Sequence, residues 1–230
     1  MGLLSHALAT MMMASTLMCR CLAQKPGHYI DPGTKIGFTT WSISGEGKPG
    51  ELTFGMALPS NALQTDATEF IGYINYAGEG SSGWSGFALG GSMTDSLLLL
   101  AYPDGDDMRT SLRFTAKYSM PGVYTGNATV TEISHRVTPC GYSLIFRCAD
   151  CLHWSQDGIN GSASTSNGEM DIGFAHSDKS PGDPGCPRKA TLQKHEQQGT
   201  WTAELDKSTT SNSYDDWRGM AKPGHPDKCS

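Results

Sequence analysis

Two side chains able to bind a metal or another ligand stand out by their surroundings in the chain. Met93 ends Gly90-Gly91-Ser92-Met93 after an apolar run, where two glycines allow a bulky group to approach the backbone closely. His195 ends the polar segment Leu192-Gln193-Lys194-His195, which follows a long loop. Taken alone, however, such a methionine is typical of core filler and such a histidine is typical of the surface.

Two short motifs point to other chemistry, but their context argues against it. Gly78–Gly83 fits a dinucleotide-binding pattern, yet a predicted strand, Trp84–Leu89, follows where the pyrophosphate needs a helix. Cys148-Ala149-Asp150-Cys151 follows the apolar strand Tyr142–Phe146 and opens no helix, unlike a thioredoxin-type redox motif. A single Cys-x-x-Cys without a second cysteine pair is also only weak evidence for a zinc site. In an oxidising compartment, the simplest interpretation of two such cysteines is a small structural disulfide.

The elements that must position these residues are predicted to be strands. Charged residues make up 17% of the chain and 28 of 230 residues are glycine, against usual values of about 25% and 7%. This composition favours short strands joined by turns over a helical bundle. The formal net charge of −6 argues against a nucleic-acid-binding protein, since a phosphate surface requires a basic face.

Short segments that are apolar, or in which apolar and polar residues alternate, recur along the chain and are bounded by turn residues. No segment between them repeats its apolar residues at the spacing of an α-helix. The predicted strands are Ile36–Ser42, Leu52–Leu58, Glu69–Tyr76, Trp84–Leu89, Ser96–Tyr102, Ser111–Tyr118, Ala128–Ser134, Tyr142–Cys148 and Met170–His176. They predict antiparallel sheets packed face to face. We also expect long surface loops over 155–167 and 177–187, and one short helix over 213–221 with Ser213 as its N-cap.

The N-terminal segment predicts export from the cell. Met1–Ala23 has an apolar middle and small residues at its last and third-last positions, as signal peptidase requires, so Gln24 would begin the mature chain. Arg20 near the cleavage point is a departure, and the alternative is a buried N-terminal helix. Sequons at Asn127 and Asn160 predict N-glycosylation at surface positions. No other apolar run approaches the length of about 20 residues needed to span a membrane.

The cysteines beyond the signal are odd in number. They are Cys140, Cys148, Cys151, Cys186 and Cys229. At least one is therefore free or paired with another chain. Because Cys140 directly precedes a predicted strand and Cys186 lies in a loop that a bridge would tie down, we expect a Cys140–Cys186 disulfide, with Cys229 left over.

Several of these segments together resemble the haem domain of fungal cellobiose dehydrogenases. This domain also occurs alone, or fused to other modules, as a secreted iron-reductase-type b cytochrome. The matching segments are Thr68–Gly72, Gly83–Met93, Leu97–Gly105, Phe146–Cys151 with Trp154, and Thr191–His195 followed by Gly199. Their order and spacing fit over Pro32–Gly199. The combination of Gly-Gly-x-Met, Phe-Arg-Cys-x-x-Cys and a late histidine is specific, although each part is weak alone.

The resemblance implies an all-β fold, an antiparallel two-sheet β-sandwich of antibody-like topology with haem b at one end. We expect this haem b-binding domain to occupy residues 24–221. Residues 222–230 contain two prolines and few apolar groups, which predicts a disordered tail.

The resemblance also implies the site residues. Met93 and His195 would be the axial ligands of the haem iron, and Cys148 and Cys151 would form a disulfide. Tyr118 matches a tyrosine near the haem propionates, although Lys117 stands before it where the family usually has glycine. Trp84 is a candidate for lining the apolar slot of the haem ring, together with Phe87 and Leu89.

A methionine and a histidine fill both axial positions of a haem iron, so no position stays open for O₂ and the expected chemistry is electron transfer. The resemblance implies a secreted protein that accepts single electrons from a flavin dehydrogenase or small reductant. Implied acceptors are ferric iron, quinones and copper polysaccharide monooxygenases. No flavin fingerprint occurs in this chain, so we do not expect sugar oxidation, whereas ferric reductase activity is left open. No Cys-x-x-Cys-His occurs, which predicts non-covalent haem.

Two further interpretations stay open, namely a haem-free carbohydrate-binding β-sandwich and a structural or adhesive secreted domain. A visible spectrum separates the haem protein from both. We expect a monomer that contacts its redox partners briefly, through an interface below about 1,200 Å², and that binds neither nucleic acid nor membrane.

Overall fold

The computed structural model describes residues 26–44, 51–78, 80–224 and 226–229. The predicted signal peptide lies outside these residues. The elements are β1 Gly27–Ile30, β2 Gly37–Ser44, β3 Glu51–Pro59, β4 Phe70–Ala77, β5 Trp84–Ala88, β6 Leu98–Asp104, β7 Asp107–Phe114, β8 Gly122–Val123, β9 Thr129–Thr138, β10 Gly141–Ala149, β11 His153–Gln156, β12 Ile159–Ser162, β13 Glu169–Ser177, β14 Gln197–Glu204, β15 Thr210–Ser211 and α1 Tyr214–Arg218.

The strands form two large sheets and one small hairpin. The first sheet has the order β1-β2-β3-β4-β10-β9, with β15 paired in parallel to β3. The second sheet has the order β14-β13-β5-β6-β7-β8 and is antiparallel throughout. The hairpin consists of β11 and β12. The predicted all-β fold with two packed antiparallel sheets is confirmed.

The main hydrophobic core lies between the two sheets, because alternate residues of each strand point inward. Phe54 of β3 and Phe87 of β5 face each other across this space with ring centroids 4.6 Å apart. Trp201 of β14 packs edge to face on both rings, at 6.2 Å and 6.3 Å. All three side chains are buried. Their contact joins strands from both sheets into one core.

Part of the outer face of the first sheet is covered by α1, the one helix among the described residues. Tyr214 of α1 is buried against a second apolar cluster that includes Phe38, Ile71 and Ile145. The predicted N-cap residue, Ser213, directly precedes α1, but its side chain makes no capping hydrogen bond. The described residues contain no helix long and apolar enough to cross a membrane.

Every predicted strand segment overlaps an observed strand, but several details differ, among them the short strands β1, β8 and β15, which were not predicted, and the helix, which ends at Arg218 and not at residue 221. β7 ends at Phe114, so Tyr118 lies in a loop and not in a strand as predicted. Part of the predicted loop over 155–167 belongs to the β11–β12 hairpin, whose turn at Asp157 and Gly158 has positive φ at both positions (55° and 80°). The polar strand β14 has no counterpart among the predicted segments, because its alternating apolar residues begin only at Trp201.

The disulfides require a correction. Cys148 and Cys151 are bonded, as expected, but Cys186 is bonded to Cys229 and Cys140 is free and exposed. The predicted Cys140–Cys186 bridge is therefore wrong, because the C-terminal segment passes beside the loop that carries Cys186.

The same segment also differs from the disordered tail that its composition predicts. The Lys222 amide donates to the Glu132 carbonyl (2.7 Å), and the Lys228 amide donates to the Gly185 carbonyl (2.8 Å). Lys228 Nζ lies 3.0 Å from Asp104 Oδ2. The described residues of this segment are thus held against the domain by a disulfide, backbone hydrogen bonds and an ion pair.

Candidate functional site

A cavity of about 840 Å³ lies on the outer face of the second sheet. On β5, Trp84, Gly86 and Ala88 line this cavity, and they alternate with residues that face the core. The floor is continued by outward-facing residues of the neighbouring strands, namely Leu98 and Leu100 of β6 and Gly173 and Ala175 of β13. Because four of these seven residues are glycine or alanine, the floor is low and largely flat.

Three segments outside the strands form the walls. They are Gly91–Met93 after β5, Tyr118–Pro121 between β7 and β8, and Leu192–His195 before β14. All four residues assigned to the cofactor from the sequence, Met93, His195, Tyr118 and Trp84, line this one cavity. Of the other two candidates for the slot, Phe87 borders the cavity although its side chain is buried in the core between the sheets, and Leu89 is buried in the same core.

The two glycines before Met93 are required by the turn that presents it. Gly91 has φ +79°, a left-handed conformation that favours glycine. A Cβ on Gly90 would lie 2.5 Å from Ser96 Oγ. The Gly91 carbonyl accepts a hydrogen bond from Thr200 Oγ1 at 2.9 Å, which ties the turn to β14. Local backbone geometry and packing therefore account for both glycines.

His195 is placed by contacts on both sides of its segment. The next residue, Glu196, donates its amide to the His176 carbonyl of β13 at 3.0 Å. The imidazole meets the indole ring of Trp84 edge to face. Burial, followed by the nearby Lys194 charge, lowers the pKa of His195, while Glu196 opposes the shift. The ring is therefore neutral near pH 7, with a nitrogen lone pair available to a metal.

The mouth of the cavity is aromatic and basic. Tyr118 borders the cavity with 82% of its surface exposed, and Met120 beside it is also exposed. The loop is shaped by Thr115, whose Oγ1 donates to the Lys117 carbonyl at 2.6 Å. Lys117 is exposed next to Tyr118, and the exposed Lys194 lines the cavity beside His195. Anionic groups of a bound molecule would find cations at this opening.

These residues fit haem b. The volume lies within the range of about 300–1,000 Å³ usual for cofactor pockets, and the floor is apolar and flat. A thioether and a neutral imidazole, the ligand pair of a saturated haem iron, stand on its walls.

Part of the cavity lining was not predicted from the sequence. The floor residues Leu98, Gly173 and Ala175 carried a usable signal, since they alternate with core residues along strands that were correctly predicted. Arg113, whose buried side chain donates to the carbonyls of Pro121 in one wall and of Ala190 just before another, carried no such signal.

The comparisons with known proteins point to one family. Residues 29–216 match the family described as the cytochrome domain of cellobiose dehydrogenase. The structure resembles the cytochrome domain of Myriococcum thermophilum cellobiose dehydrogenase, with 46% identity and a TM-score of 0.83 over 86% of this chain and 97% of that one. It also resembles the cytochrome b domain of pyranose dehydrogenase from Coprinopsis cinerea, with 25% identity and a TM-score of 0.69 over 85% and 95% of the two chains.

A curated relative places this domain within a larger protein. The pyrroloquinoline quinone-dependent pyranose dehydrogenase of Coprinopsis cinerea is 28% identical over 161 residues, which make up 70% of this chain but 22% of that protein. The chain thus spans about a fifth of the curated relative's length. With the fold, the cavity and the family match in agreement, the chain belongs to the family of cytochrome domains of cellobiose dehydrogenase, whose members bind haem b.

Proposed function

We propose that this protein is a secreted one-electron carrier in which Met93 and His195 hold the iron of a haem b in the outer-face cavity. The observation that carries the proposal is that these two side chains, far apart in sequence, line the same cavity. When bound, haem b supplies a one-electron iron couple. The thioether favours the reduced state, and the neutral imidazole coordinates without first losing a proton.

The remaining lining residues would hold the cofactor and exclude water. Leu98, Leu100 and Phe174 supply apolar contact surface around the floor. The exposed Tyr118 would donate its hydroxyl to a carboxylate of the cofactor, and Lys194 would pair with one. Because Met93 and His195 would leave no coordination position of the iron open, electrons would have to pass through the exposed part of the cofactor.

The natural donor would be a dehydrogenase, since the relatives are cytochrome domains of such enzymes. The acceptors would be ferric complexes, quinones or a copper polysaccharide monooxygenase, each of which can take one electron at a time. Electron transfer at an exposed edge needs only brief docking, so we expect a monomer that forms complexes below about 1,200 Å² of interface.

Three features support an extracellular location. Residues 1–23 have the pattern of a secretory signal. Asn127 and Asn160, the two sequon asparagines, are both exposed. Two disulfides, Cys148–Cys151 and Cys186–Cys229, are typical of proteins from an oxidising compartment.

The axial ligands are tested by visible spectroscopy of the purified protein loaded with haem b. We expect a low-spin, six-coordinate spectrum that is lost in Met93→Ala and in His195→Ala. Met120→Ala, which changes another methionine lining the same cavity, and His153→Ala, which changes an exposed histidine on β11, are the matched controls and should keep it. A normal low-spin spectrum in both ligand variants would exclude the assignment, and a protein that takes up no haem would favour the carbohydrate-binding alternative.

Electron transfer itself needs a second measurement. Stopped-flow traces of the reduced haem band, mixed with a ferric complex, a quinone or a copper monooxygenase, should show reoxidation within seconds. If none of these acceptors reoxidises the haem on that scale, the carrier proposal fails even with haem bound.

A further inference from the structure

Arg113 is a buried cation without an acidic partner. Its side chain is 4% exposed, and no carboxylate lies within ion-pair distance of it in the described part of the chain. Burial lowers the pKa of the guanidinium, but from so high a starting value that the group stays charged. A buried charge is costly unless all its donors are hydrogen-bonded, so its surroundings are informative.

Arg113 lies beside the floor of the cavity. On β7 it stands directly opposite Leu98 of β6, and cross-strand partners point to the same face of a sheet. Leu98 lines the cavity, and so does Leu100, which pairs with Ser111. Arg113 and Ser111 therefore extend the row of residues that forms the floor.

The guanidinium joins one wall of the cavity to the segment that precedes another wall. Nη1 donates to the Pro121 carbonyl at 3.3 Å, at the end of the wall that carries Tyr118. Nη2 donates to the carbonyls of Pro187 and Ala190, the latter at 3.0 Å, on the segment that leads into His195.

Ser111 completes this arrangement. Its Oγ accepts from Arg113 Nε at 2.8 Å and donates to the Pro187 carbonyl at 3.2 Å. Every nitrogen of the guanidinium thus makes a hydrogen bond, yet all the acceptors are neutral.

A second buried arginine on the same strand provides the contrast. Arg109 is 3% exposed and faces the same side of the sheet, but its Nε and Nη2 both lie 3.1 Å from Asp104 Oδ2. Its charge is therefore compensated by a carboxylate. The acceptors of Arg113, in contrast, are a hydroxyl and three backbone carbonyls.

We infer that Arg113 is a positioning residue of the haem site, which holds the Tyr118 and His195 walls together and favours the reduced cofactor through its uncompensated charge. The inference rests on the proposed function. Reduction adds one electron to the iron, and a nearby cation in a poorly solvated region stabilises the added negative charge. The planar guanidinium can donate hydrogen bonds to several carbonyls at once, whereas a lysine ammonium on a flexible chain cannot reproduce this geometry.

The test compares Arg113→Lys, Arg113→Met and Ser111→Ala with Arg109→Lys as the matched control. The readouts are the rate of haem transfer to excess apomyoglobin and the midpoint potential. We expect Arg113→Lys to lose haem at least tenfold faster while its potential stays near the wild-type value, because the charge remains. Arg113→Met should lose haem as fast and shift the redox equilibrium three- to tenfold towards the oxidised form, a tenfold shift being about 59 mV for one electron.

Ser111→Ala removes part of the same network with little change in volume and should accelerate haem loss severalfold. If the Arg113 variants do not fold, Ser111→Ala still tests the positioning role. Arg109→Lys should leave both the rate of haem transfer and the midpoint potential unchanged. Wild-type rates in Arg113→Lys or Ser111→Ala would overturn the positioning role, and an unchanged or higher potential in Arg113→Met would overturn the role of the charge. A wild-type protein that binds no haem b is a different outcome, which removes the proposed function itself.

Discussion

The indole ring of Trp84 meets the imidazole of His195 edge to face, with ring centroids 6.2 Å apart and planes inclined at 80°. Trp84 is itself 4% exposed and packs with Leu100, Tyr102 and Ala190 on the outer face of the second sheet. Aromatic pairs in this geometry contribute about 0.5–1.5 kcal/mol beyond the area they bury. A rigid strand residue thus orients a histidine that belongs to a loop.

Replacing Trp84 should therefore weaken haem retention through His195. We expect Trp84→Ala to release haem to apomyoglobin about tenfold faster than wild type, because the imidazole loses its aromatic neighbour. Trp84→Phe keeps an aromatic ring beside the imidazole, so its rate of haem release should be much closer to that of wild type. Trp217→Ala, which removes a half-buried tryptophan of α1 on the other sheet, is the control. Equal release from the alanine and phenylalanine variants would contradict a role for the ring contact.

The flat floor predicts a way to block the cavity without destroying the fold. Ala175 of β13 lines the cavity and is partly exposed, so Ala175→Phe should fill the space and reduce haem uptake at least tenfold. Ala149→Phe, on β10 of the first sheet, is an equally large change at a partly exposed position away from the cavity. Haem titration followed at the Soret band, with circular dichroism to check the fold, measures both. Normal uptake by Ala175→Phe would place the cofactor elsewhere.

The Cys186–Cys229 disulfide closes a loop with a sequence separation of 43 residues, so its loss should be costly. Cross-links of this loop length contribute about 2–4 kcal/mol to the free energy of unfolding. We expect a decrease of this size in Cys229→Ser by urea denaturation, against less than about 0.5 kcal/mol for Cys140→Ser at the exposed free thiol. Peptide mapping without reduction should recover Cys186 linked to Cys229, and a Cys140–Cys186 peptide would disprove the pairing.

Asp66 predicts a pH dependence of stability. Hydrogen bonds from the Ser166 amide (2.8 Å) and the Ser164 hydroxyl (2.7 Å) lower the pKa of this carboxyl to about 2. Because the folded pKa lies below the unfolded value of about 3.9, the contribution is fully present above pH 4 and is lost as the pH falls towards 2.

The thermal midpoint of Asp66→Ala should accordingly fall below that of wild type at pH 7, and the gap should narrow between pH 4 and pH 2. Asp66→Asn keeps an acceptor oxygen without the charge, so its deficit should be smaller and less dependent on pH. A gap that widens with acidification would show that the carboxylate does not stabilise the fold.

The strands were accessible from the sequence because their signals are local, and the two candidate ligands were accessible through a combination of short motifs. Alternation of apolar and polar side chains is a property of each strand by itself, and it located β5 and β13, the strands that form most of the floor. Met93 and His195 each stand in a recognisable short motif. The Cys148–Cys151 bridge spans a sequence separation of only three residues, so the chain brings its ends together without help from the rest of the fold.

Only the tertiary structure decided which distant groups meet. The partner of Cys186 is Cys229, because the C-terminal segment passes the loop that carries Cys186, and no local pattern encodes that path. Arg113 bonds carbonyls of two loops, and backbone carbonyls look alike in every sequence. The sequence by itself determined an all-β chain with a thioether and an imidazole in recognisable motifs. The packing of three loops over one sheet face decided that they share a cavity, because such contacts depend on the sum of many weak long-range interactions.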